Sequence, residues 1–111
     1  MAIRVDSIQQ AVDNLQDYFL PENAENVDAV IQLEFLGDGG GNWYLTIKDQ
    51  TLLVSEGNAN DPTMTLTVAA VDWLKVANKE TSPMALVMQG KLKLNGDMNM
   101  AMKFQEMFSM S

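Results

Sequence analysis

The side chains able to do chemistry in this chain are few. Its 111 residues include no histidine and no cysteine, so imidazole bases, thiolate nucleophiles and disulfides are absent. The usual nitrogen and sulfur ligands of zinc, copper and iron are therefore missing as well, and we expect no metal and no cofactor. Acid/base chemistry by Asp, Glu, Lys or Tyr stays open. Within apolar runs the carboxylates are Glu34 and Asp72, and both fit exposed positions, so we expect no catalytic residues and no enzyme activity.

Two further motifs resemble a phosphate-binding loop and a calcium loop, but each lacks residues that such a site requires. The glycine run 39–41 joins two predicted strands and lacks the following helix and the Lys-Ser/Thr ending of a phosphate-binding loop, which indicates a flexible hairpin. The cluster of Asn58, Asn60 and Asp61 does not have the ligand spacing of a known calcium loop.

Size and charge limit the possible partners. The length fits one domain over residues 1–111. Fifteen acidic and seven basic side chains give a net charge of −8, which repels phosphate backbones and anionic headgroups. We therefore expect no nucleic-acid partner, and membrane contact that is apolar rather than electrostatic. No apolar run is long enough to span a membrane, and the first residues lack the apolar core of a signal peptide, so we expect a cytoplasmic location.

Periodicity divides the chain into helices and strands. Apolar residues at helical spacing predict helices over residues 7–19, 70–78, 82–90 and 98–110. Alternation predicts strands over 30–36, 43–48, 52–54, 63–68 and 91–95. We expect Asp6 to cap the first helix and Ser82-Pro83 to begin the third. This order predicts an α+β domain with a single sheet of about five strands and helices covering one face.

The stretch from Gln89 to Phe104 carries a resemblance. Its order of Gln-Gly-Lys, alternating aliphatic residues, Gly-Asp and a Met-rich helix with Lys103 closely resembles the signature of the sterol carrier protein type 2 family, the nonspecific lipid-transfer domain. Residues 65–68 and 72–74 are similar to the family's Thr-aliphatic-Thr strand and Asp-Phe-Leu helix. The chain departs from the family at residues 69–71, where Ala-Ala-Val replaces polar capping residues, and the missing cap should cost ~1 kcal/mol.

The resemblance implies an apolar tunnel between the sheet and the helices. It implies lipid or acyl ligands, among them fatty acids, fatty acyl-CoA, phospholipids and sterols, and it implies no covalent chemistry. Each buried methylene contributes ~0.8 kcal/mol, so a sixteen-carbon chain offers roughly 12 kcal/mol before ordering costs. We expect the floor of the tunnel to be formed by Ile31, Leu33, Phe35, Leu45, Ile47 and Leu66. We expect its roof to be formed by Trp73, Leu74, Met84, Val87, Met88, Phe104 and Phe108.

Several of these residues have a second interpretation. Met102 lies outside the apolar stripe of the last helix, as expected of a compliant ligand mouth or partner surface, although methionine also fills ordinary cores. Gln89 offers a polar contact to a ligand headgroup or is simply solvated. For Trp73 core packing is the default and lining a ligand site is the alternative. The residues of the short third helix suit plain core packing as well as a tunnel wall.

Three functions follow from these observations. The first is a lipid carrier with an enclosed hydrophobic tunnel. The alternative is an interaction module of the same fold, without a usable cavity, that forms a homodimer through its methionine-rich helix. The third is a small acid/base enzyme with a buried carboxylate, which the positions of Glu34 and Asp72 disfavour.

Overall fold

The computed structural model describes residues 5–108. Within them the chain forms four α-helices, a short 3₁₀ helix and five strands. In chain order these elements are α1 (Ile8–Tyr18), the 3₁₀ helix (Pro21–Ala24), β1 (Ala29–Leu36), β2 (Gly41–Lys48), β3 (Thr51–Glu56), β4 (Met64–Ala69), α2 (Ala70–Ala77), α3 (Pro83–Met88), β5 (Leu92–Gly96) and α4 (Met98–Met107). The 3₁₀ helix was not predicted. Residues 109 and 110 of the predicted last helix lie outside the described residues.

The five strands form one mixed sheet in the order β3-β2-β1-β4-β5. β1 and β4 run parallel, whereas the other neighbouring strands are antiparallel. The register places Leu33 beside Trp43 on one side and beside Leu66 on the other, so these three side chains point to the same face. That face is buried under the helices, and the single sheet confirms the predicted α+β class.

The core between the sheet and the helices is rich in aromatic contacts. The ring of Phe35 lies 6.0 Å from Trp43 and 5.9 Å from Trp73, measured between centroids. On α4, Phe104 and Phe108 are 5.0 Å apart. Tilted aromatic pairs at these distances contribute ~0.5–1.5 kcal/mol each beyond their buried area. The contacts of Phe35 therefore tie β1, β2 and α2 together, whereas the Phe104–Phe108 contact lies within the C-terminal end of α4.

The opposite face of the sheet, which bears Gln32 and Glu34, is not uniformly exposed. Gln32 is buried there, and hydrogen bonds satisfy its side-chain amide. Its Nε2 donates to the Trp43 and Gly57 carbonyls at 3.0 and 3.1 Å. Its Oε1 accepts from the Ala59 amide at 2.7 Å. Glu34 was expected to be exposed; it is partly buried and accepts a hydrogen bond from Thr67 Oγ1 at 2.9 Å. This face thus holds the loop after β3 against the sheet.

Helix caps explain where the helices begin. The prediction that Asp6 caps α1 was wrong: Ser7 Oγ accepts from the Gln10 amide at 3.1 Å, and its β-region backbone is the geometry that an N-cap requires. Ser82 caps α3 by accepting from the Ala85 amide at 3.2 Å, with proline at the first helical position, as predicted. α2 follows β4 directly and begins without a side-chain cap.

Candidate functional site

The residues predicted to floor a tunnel are strand side chains on the helix-covered face. None of them is more than 3% exposed. They are Ile31, Leu33, Phe35, Leu45, Ile47 and Leu66. Leu66 borders the first cavity described below, whereas the other five pack into the core and border none of the three cavities described here.

The first cavity, the inner pocket, lies between the β4–β5 end of the sheet and helices α3 and α4. Its volume is about 80 Å³, against the roughly 300–1,000 Å³ of a typical ligand pocket. Among the side chains that the structure describes, Gln105 is the polar member of its lining. The lining consists of Met64, Leu66, Trp73, Pro83, Met84, Val87, Leu92, Leu94, Met102, Phe104 and Gln105. The space between the layers is therefore apolar but too small for a whole acyl chain.

Two methionines form the outer side of the inner pocket. Met84 on α3 is 49% exposed and Met102 on α4 is 64% exposed. An unbranched thioether side chain with three rotatable bonds repacks at little cost. The inner pocket thus has a side that can widen by side-chain rotation alone.

The second and larger cavity, the helix cleft, was not predicted. It has a volume of about 480 Å³ and lies between α1, α2 and the segment that joins α2 to α3. Its floor is apolar and its rim is polar. The lining consists of Ala11, Asn14, Leu15, Tyr18, Trp73, Val76, Ala77, Lys79, Glu80, Thr81, Ser82, Pro83 and Phe108. In volume the cleft falls within the range of pockets that bind small ligands in proteins.

Asn78 holds two walls of the helix cleft together. Its Oδ1 accepts from the Val5 amide at 2.7 Å, and its Nδ2 donates to the Val5 carbonyl at 2.8 Å. The same Nδ2 donates to the Leu74 carbonyl at 2.9 Å. The residue therefore ends α2 and fixes the segment that leads into α1. An asparagine just after an apolar helix is a C-terminal signal, but its partner Val5, 73 residues away, is not visible in sequence.

Trp73 and Pro83 border both cavities. Trp73 is a fully buried side chain on α2, and Pro83 is the buried first residue of α3. Together they form the partition between the inner pocket and the helix cleft. The indole of Trp73 therefore forms part of the wall of both cavities.

The remaining predicted roof residues are divided between the two cavities and the surface. Val87 and Phe104 border the inner pocket, and Phe108 borders the helix cleft. Leu74 is half-buried against the core. Met88 is 83% exposed. Gln89 is exposed at the C-terminus of α3, where its amide donates to the Ala85 carbonyl at 3.0 Å.

A third cavity of about 370 Å³ lies between α1 and strands β2 and β3. Most of its lining is polar or acidic. The lining consists of Gln9, Val12, Asp13, Gln16, Trp43, Val54 and Glu56. An apolar chain gains little in such a groove, because transfer free energy scales with the apolar area removed from water. Over residues 5–108 no cluster of side chains suits a metal ion, and no helix there is long and apolar enough to cross a bilayer.

Comparison with known sequences gives a family match over nearly the whole chain. A family model described as the SCP-2 sterol transfer family matches residues 8–109. The Rattus norvegicus protein named "Hydroxysteroid dehydrogenase-like protein 2" is 26% identical over 104 residues, which cover 93% of this chain and 20% of the relative. Its Homo sapiens namesake is 23% identical and is covered to 26% of its length. The chain thus spans about a fifth to a quarter of these curated relatives.

Solved structures share the fold. Palmitated SCP2L2 from Aedes aegypti is 27% identical with a TM-score of 0.77, covering 91% of this chain and 93% of that one. Sterol carrier protein 2 from Yarrowia lipolytica is 24% identical with a TM-score of 0.66, over 93% and 89% of the two chains. The stereoselective inverting sec-alkylsulfatase Pisa1 from Pseudomonas sp. is 21% identical with a TM-score of 0.75, over 96% of this chain and 16% of that one. The last two likenesses concern the fold alone.

Proposed function

Because the chain belongs to the SCP-2 sterol transfer family, we propose that it binds a lipid non-covalently and carries it chemically unchanged. The observation that supports this function best is the pair of cavities on either side of Trp73. One is almost wholly apolar, and the other combines an apolar floor with a polar rim. An amphiphile, with an oily tail and a hydrated head, matches that combination.

The helix cleft is the part of the site with room for a ligand as it stands. Its 480 Å³ lies within the range of pockets that enclose small ligands, whereas the 80 Å³ of the inner pocket does not. In this proposal the acyl chain lies in the cleft against Leu15, Trp73 and Phe108. The end of the chain reaches the inner pocket by displacing the partition of Trp73 and Pro83, and outward rotation of Met84 and Met102 widens that pocket to receive it.

The polar rim favours a headgroup at the α2–α3 connection. Lys79, Thr81 and Ser82 border the cleft, and their ammonium and hydroxyl groups are hydrogen-bond donors. A carboxylate or a hydroxyl placed there would remain near solvent while its tail is buried. Fatty acids, fatty acyl-CoA and sterol-like lipids all fit this description. The palmitated state of SCP2L2, a relative at 27% identity, supports the fatty acid.

We propose binding without catalysis. Glu34 lies on the sheet face away from both cavities, hydrogen-bonded to Thr67, so it has no access to a bound tail. Incubation with palmitoyl-CoA followed by mass spectrometry would test this part of the proposal. Recovery of intact thioester is expected, and turnover above the rate in buffer would contradict it. A cytoplasmic location stays a prediction, which fractionation of cells expressing the tagged chain would check.

Single-tryptophan variants test where the ligand lies. In Trp43→Phe the remaining indole is Trp73, which borders both cavities; in Trp73→Phe it is Trp43, which borders neither. On titration with palmitate, the Trp43→Phe protein should show a saturable change in emission, and the Trp73→Phe protein a much smaller one. Absence of saturable, competable binding to either protein would count decisively against the carrier function.

The exposed methionines support one alternative. Met84, Met88 and Met102 leave apolar surface uncovered, as an interaction module that forms a homodimer would require. Light scattering of lipid-free protein separates the two functions. A stable dimer that binds no fatty acid supports the module, and a monomer that binds palmitate supports the carrier.

A further inference from the structure

The sulfur chemistry of this chain is confined to methionine. The sequence contains nine methionines and no cysteine, so an oxidant that attacks sulfur meets thioethers and no thiols. Of the methionines that the structure describes, Met64 and Met107 are buried, whereas Met84, Met88 and Met102 are 49%, 83% and 64% exposed. A dissolved oxidant therefore has direct access to the last three and little access to the first two.

Two of the three exposed sulfurs lie beside a cavity. Met84 on α3 and Met102 on α4 form the outer side of the inner pocket, which we call the mouth of that pocket. Met88, also on α3, borders none of the three cavities described above. The fold thus places two oxidisable side chains at the mouth of an apolar space and a third away from it.

From this placement we infer that Met84 and Met102 are a site of oxidative modification, at which a peroxide lowers the affinity of the inner pocket for an acyl chain. In the reaction a sulfur lone pair attacks one oxygen of hydrogen peroxide, and the O–O bond breaks. An S–O bond forms, the sulfur is oxidised by two electrons, and the second oxygen leaves as water after taking up the proton of the first. The effect on a lipid rests on the proposed carrier function, whereas the modification itself needs no ligand.

The sulfoxide opposes binding because it adds a polar oxygen to an apolar wall. Burial of a polar group without a hydrogen-bond partner is unfavourable, and the described lining that would face the sulfoxide is apolar apart from Gln105. The oxidised side chains therefore turn towards solvent, and water enters the inner pocket beside Trp73. An acyl chain then loses the burial of about two methylenes at its end, which corresponds to roughly tenfold in affinity.

The first test uses lipid-free protein. After limited treatment with hydrogen peroxide, peptide mass spectrometry should find sulfoxide at the three exposed methionines before it finds any at the two buried ones. In the Trp43→Phe protein, whose remaining indole is Trp73, the emission should then shift to longer wavelength as water enters the pocket. Oxidation of the buried pair at the same rate as the exposed residues would contradict the inference.

Leucine at both positions of the mouth provides the matched control. Met84→Leu/Met102→Leu conserves volume at exposed positions and leaves Met88 open to oxidation. In the Trp43→Phe background this variant should show no shift in emission after peroxide, whereas Met88→Leu should shift as its parent does. An unchanged Trp73 emission in the parent, once both residues of the mouth are oxidised, would overturn the inference whether or not a lipid binds.

The second test adds palmitate. Isothermal titration should give about tenfold weaker binding for the oxidised wild type, and methionine sulfoxide reductases should restore the affinity. Met84→Leu/Met102→Leu should bind within about twofold of its untreated form after peroxide. Equal affinity of the oxidised and reduced wild type, or an equal loss in the leucine variant, would overturn the inference. A shift in Trp73 emission without palmitate binding to the reduced protein would instead contradict the carrier function and leave the modification site standing.

Discussion

The inner pocket and the helix cleft lie on either side of one indole, yet they are built in different ways. Sheet strands and two helices surround the inner pocket, which has about 80 Å³ and a nearly apolar lining. Helices α1 and α2 and the irregular connection from α2 to α3 surround the helix cleft, which has about 480 Å³ and a polar rim. Of these two cavities, the larger therefore lies beside an irregular connection and the smaller between the helices and the sheet.

Packing explains the difference. Alternating strand side chains present an even apolar surface, and amphipathic helices fill it to the density usual in protein interiors. Leu33 and Leu45, for example, are fully buried and border none of the three cavities. Residues 79–82, which connect α2 to α3, have no such repeat, and Lys79 has a positive φ of 62°. All four of these residues border the helix cleft.

We expect the largest effect on stability from a substitution at Trp73, which separates the inner pocket from the helix cleft. Trp73→Ala should lower the free energy of unfolding by about 3–5 kcal/mol, as truncation of a large buried aromatic residue usually does. It should also join the two cavities into one. Saturating palmitate should then raise the urea midpoint of the variant more than that of the wild type, because binding to the folded state alone stabilises it.

Trp43→Ala is the control for the partition. Trp43 is also buried and also contacts Phe35, but it borders neither the inner pocket nor the helix cleft. It should lose comparable stability and gain nothing extra from palmitate. Equal ligand effects in the two variants would mean that Trp73 does not separate the cavities.

The next effect concerns the wall of the helix cleft. Asn78→Ala removes three hydrogen bonds and leaves the Val5 backbone without its partner, which should cost about 2 kcal/mol. Hydrogen exchange at the Val5 amide should rise sharply, and the affinity for palmitate should fall. Asn23→Ala, which loses one exposed bond to the Glu106 carbonyl, should cost less than about 1 kcal/mol.

Most of the helices and strands could be predicted from the sequence. Alternation and helical spacing predicted four helices and five strands to within about two residues at most ends, because those patterns record which side chains face the core. The 3₁₀ helix at Pro21–Ala24 was missed, since four residues are too few to show a period. Ser7, rather than Asp6, caps α1 because the cap depends on backbone geometry at a single residue.

The site was less predictable than the fold. The resemblance at Gln89–Phe104 led to the right family and to six residues of the inner pocket. It did not reveal the helix cleft, whose lining brings together α1, α2 and the α2–α3 connection, nor the hydrogen bond from the Val5 amide to Asn78 across 73 positions. Cavity volume is what remains after side chains have packed, and no local pattern in a sequence records it.

Substitutions that fill one cavity at a time test which of the two holds more of the bound ligand. Ala77 borders the helix cleft and Val87 borders the inner pocket, and both are half-buried helix residues. Ala77→Phe should reduce palmitate affinity about tenfold, which is ~1.4 kcal/mol, because the cleft holds most of the chain. Val87→Phe should reduce it less than about threefold, or ~0.7 kcal/mol. Isothermal titration gives both values, and the reverse order would move the main site to the inner pocket.

The smallest effect concerns the mouth of the inner pocket. Met84→Leu conserves volume and lies at a half-exposed position, so unfolding stability should change by less than about 0.5 kcal/mol. A branched side chain rotates less readily than a thioether, so the stopped-flow association rate of a fluorescent fatty acid should fall about twofold while equilibrium affinity barely changes. Met88→Leu, on the same helix but bordering neither cavity, should leave the rate unchanged. A rate insensitive to Met84→Leu would place the entry route at the rim of the helix cleft instead.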